Sequence, residues 1–201
     1  MPHPDALEWN ARYQSEPQRR TPRAARSLLT AHIDRLPAPG LALDMACGTA
    51  STSLYLAARG WRVIGLDVAE NALRLAQVQA RKTALPASFA VMDLNDPWLP
   101  ASHFDIILNF YFLVRPLWSL YKEALKPGGL LFFETFLWQP EIEMRPERYL
   151  QPDELKQAFA DWEILHYEES DHPHGLSRLR RIAQLVARKP GATHLLSQRP
   201  D

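Results

Sequence analysis

From Leu41 onward, short apolar runs and stretches of helical periodicity take turns along the chain, and this alternation constrains the fold more than any other feature. Leu41 to Met45 is apolar and too short for a helix. Ser51 to Arg59 has helical spacing and stops at Gly60, a residue suited to the left-handed turn after a helix. Trp61 to Leu66 reads as a second strand. Ala69 to Arg81 follows as a helix with Leu73, Ala76 and Ala80 on its inner face. Ala87 to Met92 and Phe104 to Tyr111 are further strands. Pro116 to Leu125 is a helix closed by Lys126-Pro127-Gly128-Gly129, and Leu130 to Phe136 is a fifth strand, almost wholly apolar. Such alternation implies a parallel sheet covered on both faces by helices. A helix over Pro152 to Ala160 then precedes two last strands, Trp162 to Glu169 and Leu179 to Ala187, joined by a turn from Asp171 to Gly175. A parallel crossover needs roughly a dozen residues or more, so this last pair is expected to be an antiparallel hairpin.

The 201 residues suit one domain, at about 100–200 residues per domain. Before the alternation begins, Asp5 to Gln14 reads as a short helix carrying Leu7, Trp9 and Tyr13. Thr21-Pro22 reads as the N-cap and first turn of a helix whose stripe is Ala24, Ala25, Leu28, Leu29 and Ile33. Pro37 to Gly40 stops it. Residues 1–38 are thus expected to form a lid or cap, 39–188 the main domain and 189–201 a flexible tail. Lys plus Arg number 23, as do Asp plus Glu, which argues against a protein whose main task is gripping nucleic acid. Cys47 is the single cysteine, so no intrachain disulfide forms, in keeping with a reducing compartment. The polar N-terminus lacks a signal pattern, and no apolar run reaches the roughly 18 residues of a membrane helix. A cytoplasmic protein without a membrane partner, monomeric or homodimeric, is the expectation.

In an open α/β sheet, ligands bind beyond the carboxyl ends of the strands. The first strand ends in Asp44-Met45-Ala46-Cys47-Gly48-Thr49-Ala50-Ser51, where small side chains let a ligand approach the backbone closely. Asp44 faces either the loop or a ligand ammonium. The second strand ends in Gly65-Leu66-Asp67. A carboxylate there can accept both hydroxyls of a ribose, and Asp67 lies about 20 residues past the glycine turn, as a ribose reader should. The third strand ends in Met92-Asp93-Leu94, which pairs an apolar surface for an adenine ring with an acceptor for its amine.

Leu-Ala-Leu-Asp-Met-Ala-Cys-Gly-Thr-Ala, then Val-Ile-Gly-Leu-Asp, Val-Met-Asp-Leu and Leu-Lys-Pro-Gly-Gly, resemble in order the motifs of the class I S-adenosylmethionine-dependent methyltransferases. The likeness runs closely from Pro39 to Phe136, with the final hairpin matching by pattern. Trp9-Asn10-Ala11-Arg12-Tyr13 and Phe110 to Leu117 further resemble the tellurite-resistance and thiopurine-type small-molecule branch. The chain departs from the family at Ala46 and Ala50, where glycine is usual. The resemblance implies a Rossmann-like doubly wound α/β sheet of seven strands, mostly parallel, with a C-terminal antiparallel hairpin. It implies S-adenosylmethionine as the methyl donor and S-adenosylhomocysteine as the product. It places Asp44, Ala46 and Gly48 along the methionine part, Asp67 on the ribose and Val68 on the adenine. Met92, Asp93 and Leu94 would frame the adenine, and Asn109 and Phe110 would lie near the sulfonium. Trp9 and Tyr13 would fold over the cofactor as a lid.

Methyl transfer from a sulfonium is an in-line displacement that asks chiefly for alignment and exclusion of water. Aromatic faces such as Phe110, Tyr111 and Phe112 attract the sulfonium by about 0.5–2 kcal/mol. No strong general-base signature is present, so a small-molecule acceptor with a soft atom (sulfur, selenium or tellurium) or an amine or hydroxyl is expected. Tyr111 and Arg115 are the catalytic candidates. Arg115 could hold an anionic substrate or pack at a helix start. Cys47 reads better as a small residue in a tight loop than as a nucleophile. Asp171-His172-Pro173-His174-Gly175 reads as a turn and not as a metal site, and Arg178, Arg180 and Arg181 as a solvated face. The alternatives are a non-catalytic cofactor-binding or interaction module and an RNA or protein methyltransferase. A nicotinamide dehydrogenase is disfavoured because, of the three places where its fingerprint needs glycine, held here by Ala46, Gly48 and Ser51, one matches.

Overall fold

The computed structural model describes residues 4–21, 23–140, 146–174 and 178–191. Pro22, Gly175 and the stretch 192–201, on which the capping, turn and tail expectations rest, lie outside the described residues. The chain divides into two compact units, 1–99 and 100–201.

The first unit holds α1 (Pro4–Ser15), α2 (Ser27–Ala31), β1 (Leu41–Met45), α3 (Ser51–Ala57), β2 (Arg62–Asp67), α4 (Glu70–Lys82) and β3 (Ala87–Val91). β1 pairs parallel with β2, and β2 parallel with β3. Every residue of β1 is buried, as a strand covered on both faces requires, whereas β3 is largely exposed. α4 buries Ala72, Leu73, Ala76 and Ala80, the inner stripe its helical period predicts, and places Glu70 in its first turn and Arg81 and Lys82 in its last, matching the helix dipole.

The second unit holds β4 (Phe104–Phe110), α5 (Leu117–Ala124), β5 (Leu125–Phe136), α6 (Glu154–Ala158), β6 (Glu163–His174) and β7 (Arg178–Arg188). β4 and β5 are parallel, and β7 is antiparallel to both β5 and β6. Its core gathers Ile106, Ile107, Leu108, Tyr121, Phe132, Phe133 and Phe159. The strand order of the 7-stranded sheet is β3-β2-β1-β4-β5-β7-β6, so the α/β class, the mostly parallel sheet and the antiparallel C-terminal hairpin are all as expected.

Four expectations are corrected. The helix expected from Thr21 is confined to Ser27–Ala31, because the backbone before it donates elsewhere: Arg23 N–H to Ser51 Oγ at 3.3 Å and Arg26 N–H to Thr52 Oγ1 at 3.4 Å. Strand β5 begins at Leu125 rather than after the glycines. Phe104 pairs with Leu125 and Ile106 with Leu130, so Lys126 to Gly129 bulge from the ladder, with Gly128 at φ +79 and Lys126 Nζ bonded to Asp105 at 2.8 Å. The helix expected over 152–160 shortens to Glu154–Ala158, with Asp153 left-handed before it. Asp171 to His174 continue β6 instead of turning, since each pairs with a residue of β7.

Candidate functional site

In the first unit the site is built where β1 and β2 end. The loop after β1 repeatedly enters the left-handed region: Ala46 at φ 53, Gly48 at φ 55 and Ala50 at φ 62. The N–H groups along this loop bond within the protein: Cys47 N–H donates to the Leu66 carbonyl at 3.0 Å and Ala50 N–H to the Cys47 carbonyl at 2.9 Å. The alanines at the positions where glycine is usual in the resembled family thus hold left-handed backbone.

Asp67 closes β2 and is 8% exposed. Its Oδ2 accepts the N–H of Gly48 at 2.8 Å and its Oδ1 the N–H of Ala69 at 2.8 Å. Burial pushes its carboxyl up, while these backbone donors pull it down. Each carboxylate oxygen has further lone-pair capacity for a ligand hydroxyl. Asp44 turns inward, where its carboxylate accepts the Ser53 hydroxyl of α3 at 2.5 Å. Full burial raises it to about 7, against the opposing pull of the Ser53 hydrogen bond and Arg26. Cys47 is half-buried with its thiol pushed up by burial, which suits a packing residue and not a nucleophile.

Helix α1 reaches this loop. A Cβ at Gly48 would lie 2.6 Å from Tyr13 Oη, so the phenol rests on the glycine. Burial first, and then Asp67, push the Tyr13 hydroxyl up to about 12. The guanidiniums of Arg12 and Arg19 lie 5.0 and 5.5 Å from the Trp9 ring. Asn10, quoted in the motif but given no role from sequence, holds α1 in place: its Oδ1 accepts the Asn71 N–H at 2.8 Å, and Asn71 Nδ2 donates to its carbonyl at 3.3 Å. A cavity of about 120 Å³ opens beside the loop, lined among others by Tyr13, Arg19, Arg23, Arg26, Gly48 and Ser51. Its arginines carried no role in the sequence reading, which took from the segment after Thr21 only the apolar stripe of a helix.

Val68 and Met92 are half-buried and Leu94 is buried at the ends of β2 and β3. Asp93 is exposed, and its Oδ1 accepts from Asn95 N–H at 2.9 Å and Asn95 Nδ2 at 3.1 Å, the pattern of an Asx turn.

In the second unit, Asn109 and Phe110 end β4 and are buried. Asn109 Nδ2 donates to Tyr121 Oη at 2.9 Å, while its Oδ1 has no partner among the described residues. Tyr111 follows at φ 59, and its N–H donates to the Glu134 carbonyl at 2.7 Å. Phe112 is half-buried beyond it. Arg115 is engaged by protein groups: it donates to both carboxylate oxygens of Glu154, and to the carbonyls of Glu147 and Tyr149 at 2.9 Å each. Of the carboxyl-edge arginines, Arg181 pairs loosely with Glu169 and Asp171 at 3.9 Å each, while Arg180 has no acid partner among the described residues. Among the described residues no group of His, Cys, Asp or Glu is arranged to hold a metal, and no helix is long and apolar enough to cross a membrane.

Residues 42–129 match the family model of a methyltransferase domain. Over 115 residues the chain is 43% identical to 2-heptyl-1-hydroxyquinolin-4(1H)-one methyltransferase of Mycobacteroides abscessus, covering 52% of this chain and 51% of that protein. It is 29% identical over 139 residues to a ubiquinone biosynthesis O-methyltransferase of Idiomarina loihiensis, covering 56% of each. The fold matches the crystal structure of TehB from Haemophilus influenzae with a TM-score of 0.71 and 24% identity, over 81% of this chain and 61% of that one. The chain spans about half the length of the curated relatives it matches.

Proposed function

We propose that the chain carries a class I S-adenosylmethionine-dependent methyltransferase domain and transfers the methyl group of S-adenosylmethionine to a small molecule. The observation that carries the reading is Asp67, a buried carboxylate at the carboxyl end of β2 whose oxygens are oriented by the N–H groups of Gly48 and Ala69. That orientation leaves a pair of acceptors on a rigid base, which is what a ribose diol needs.

When bound, the cofactor supplies a methyl group on a positively charged sulfur. The protein's part is to hold and align. We assign Asp67 to the ribose hydroxyls, and Val68, Met92 and Leu94 to the faces of the adenine, with Asp93 beside its amine. Ala46 and Gly48 bring the backbone of the loop against the methionine portion. Asp44 is a positioning residue, since it acts through Ser53. The arginine-lined cavity is smaller than the roughly 300–1,000 Å³ of a whole-ligand site, and it suits the carboxylate end of the methionine portion, with Arg23 as its partner. Trp9 and Tyr13 cover the loop as a lid, and residues 1–38 act as that lid's frame. Asn109 and Phe110 serve the sulfonium, with Tyr111 and Arg115 further along the same segment.

A small-molecule acceptor is supported by the zero net charge and by the two relatives whose names specify small-molecule methylations. Left-handed Ala46 and Ala50 support a loop that still turns as glycine would allow, which favours the catalytic reading over a non-catalytic module. Calorimetry with S-adenosylhomocysteine tests the proposal: the protein binds it, and Asp67→Ala weakens binding at least tenfold. Absence of binding, or an unchanged affinity in the variant, defeats the cofactor assignment. Fluorescence enhancement of NADH on mixing would instead point to a dehydrogenase.

A further inference from the structure

The carboxyl edge of the second unit carries an aromatic platform with an arginine on it. Phe136 is the last residue of β5, and Tyr111 follows the last residue of β4; their rings lie 4.8 Å apart. Tyr149 lies on the other side of Phe136, with centroids 6.4 Å apart. Arg180 of β7 sits over the Phe136 ring at 5.5 Å and donates from Nη1 to Tyr149 Oη at 3.0 Å. All four side chains are half-buried, and so partly exposed to a ligand.

Several features separate this cluster from ordinary packing. Tyr111 holds φ 59, a conformation that costs a bulky residue energy and concentrates at functional sites. Arg180 has no carboxylate partner among the described residues, although neighbouring Arg181 has two. Its guanidinium lies over the Phe136 ring and is fixed by the Tyr149 hydroxyl, with the rest of its donor fork uncommitted among the described residues. Glu134 shares the face of β5 with Phe136, but it is buried and accepts from Gln184 Nε2 at 2.6 Å, so that acid is already engaged. An uncommitted, pre-oriented fork suits a carboxylate, and the adjoining rings suit a flat apolar body.

We infer that Tyr111, Phe136, Tyr149 and Arg180 form the acceptor subsite and that the acceptor is a planar aromatic molecule bearing a carboxylate. Arg180 reads the acid, and the rings take the aromatic plane. This rests on the methyltransferase reading for the word acceptor, while the recognition chemistry stands on the second unit alone.

The test uses matched probes, 2-naphthoate and 2-naphthamide, titrated calorimetrically into the full chain with and without S-adenosylhomocysteine. Naphthoate binds at least tenfold tighter than naphthamide, and Arg180→Gln brings the two within twofold by weakening naphthoate alone. Phe136→Leu weakens both. Equal affinities in the wild type, binding of neither probe, or a preference that survives Arg180→Gln overturns the inference. Should Arg180→Gln fail to fold, Arg180→Lys keeps the charge but not the fork, and the naphthoate preference must then drop severalfold. Loss of S-adenosylhomocysteine binding with the naphthoate preference intact would sink the methyltransferase reading and spare this one.

Discussion

The N–H of Gly48 donates to the carboxylate of Asp67 at 2.8 Å across a sequence separation of 19 residues, tying the loop after β1 to the end of β2. The partner oxygen accepts Ala69 N–H at the same distance, so both carboxylate oxygens are held by backbone donors. An amide at this position can accept only one of these bonds and turns its own N–H₂ toward the other donor. Asp67→Asn is therefore expected to cost about 1–3 kcal/mol of stability through a buried donor left unpaired. It should also weaken S-adenosylhomocysteine binding tenfold or more. Urea denaturation and calorimetry check the two effects. A variant with unchanged urea midpoint would show that the bond is not a structural link.

Tyr13 and Gly48 should be coupled. Alanine at 48 meets the Tyr13 hydroxyl at 2.6 Å and also carries the cost of φ 55, about 1–2 kcal/mol for a residue with a Cβ. In a Tyr13→Phe background the first penalty disappears and the second remains. A double-mutant cycle of unfolding free energies should show Gly48→Ala costing less in that background. Strict additivity would mean that Tyr13 does not rest on the loop. By the same backbone argument, Ala46→Gly should stabilise the protein by about 0.4–1 kcal/mol, since Ala46 holds φ 53.

Asp44 gives stability a pH dependence. Burial raises its carboxyl from 3.8 to about 7 in the fold. The folded chain thus keeps a proton that the unfolded chain releases near pH 4. The contribution is fully present below that unfolded value and is lost as the pH climbs toward about 7, with a maximum near 4 kcal/mol at about 1.4 kcal/mol per unit. Urea midpoints should fall between pH 5 and pH 8 in the wild type. Asp44→Asn, neutral throughout, should flatten that slope. A wild-type profile already flat over this range would rule out a neutral buried Asp44.

The strand–helix alternation was legible because fully buried parallel strands leave continuous apolar runs, and β1, β4 and β5 have them. The place of Asp67 at the end of β2, facing the glycine turn, was legible because the apolar run stops at an acid there. The segment before β1 was not, since side chains of α3 satisfy its backbone donors and no local periodicity records that. The reach of the final hairpin was hidden by Pro173, which reads as a turn and yet pairs within β6. Arg115 and Arg180 illustrate the limit for sites. Sequence left the first open between holding an anion and packing at a helix start, and gave the second to a solvated face. The acid that decides between them, Glu154, lies 39 residues from Arg115 and signals nothing in a linear reading.

Arg115 is accordingly expected to act as a clamp on the segment around Tyr149. Its fork holds Glu154 and the carbonyls of Glu147 and Tyr149, a geometry that lysine cannot reproduce. Both partners are partly exposed, so screening trims the expected loss for Arg115→Lys to about 1–2 kcal/mol. The Arg115 hydrogen bond holds the Glu154 carboxyl below its ordinary value. The stability it contributes is therefore present above the usual carboxylate range and lost as the pH falls through the depressed value. Glu154→Gln should lower the urea midpoint at pH 7 and shed that acid limb. Because the clamp holds the Tyr149 carbonyl, Arg115→Lys should also loosen 2-naphthoate binding in proportion to the lost stability, and Glu154→Gln should do the same. If Arg115→Lys leaves the midpoint untouched and abolishes methyl transfer, Arg115 belongs to the reaction and not to the frame.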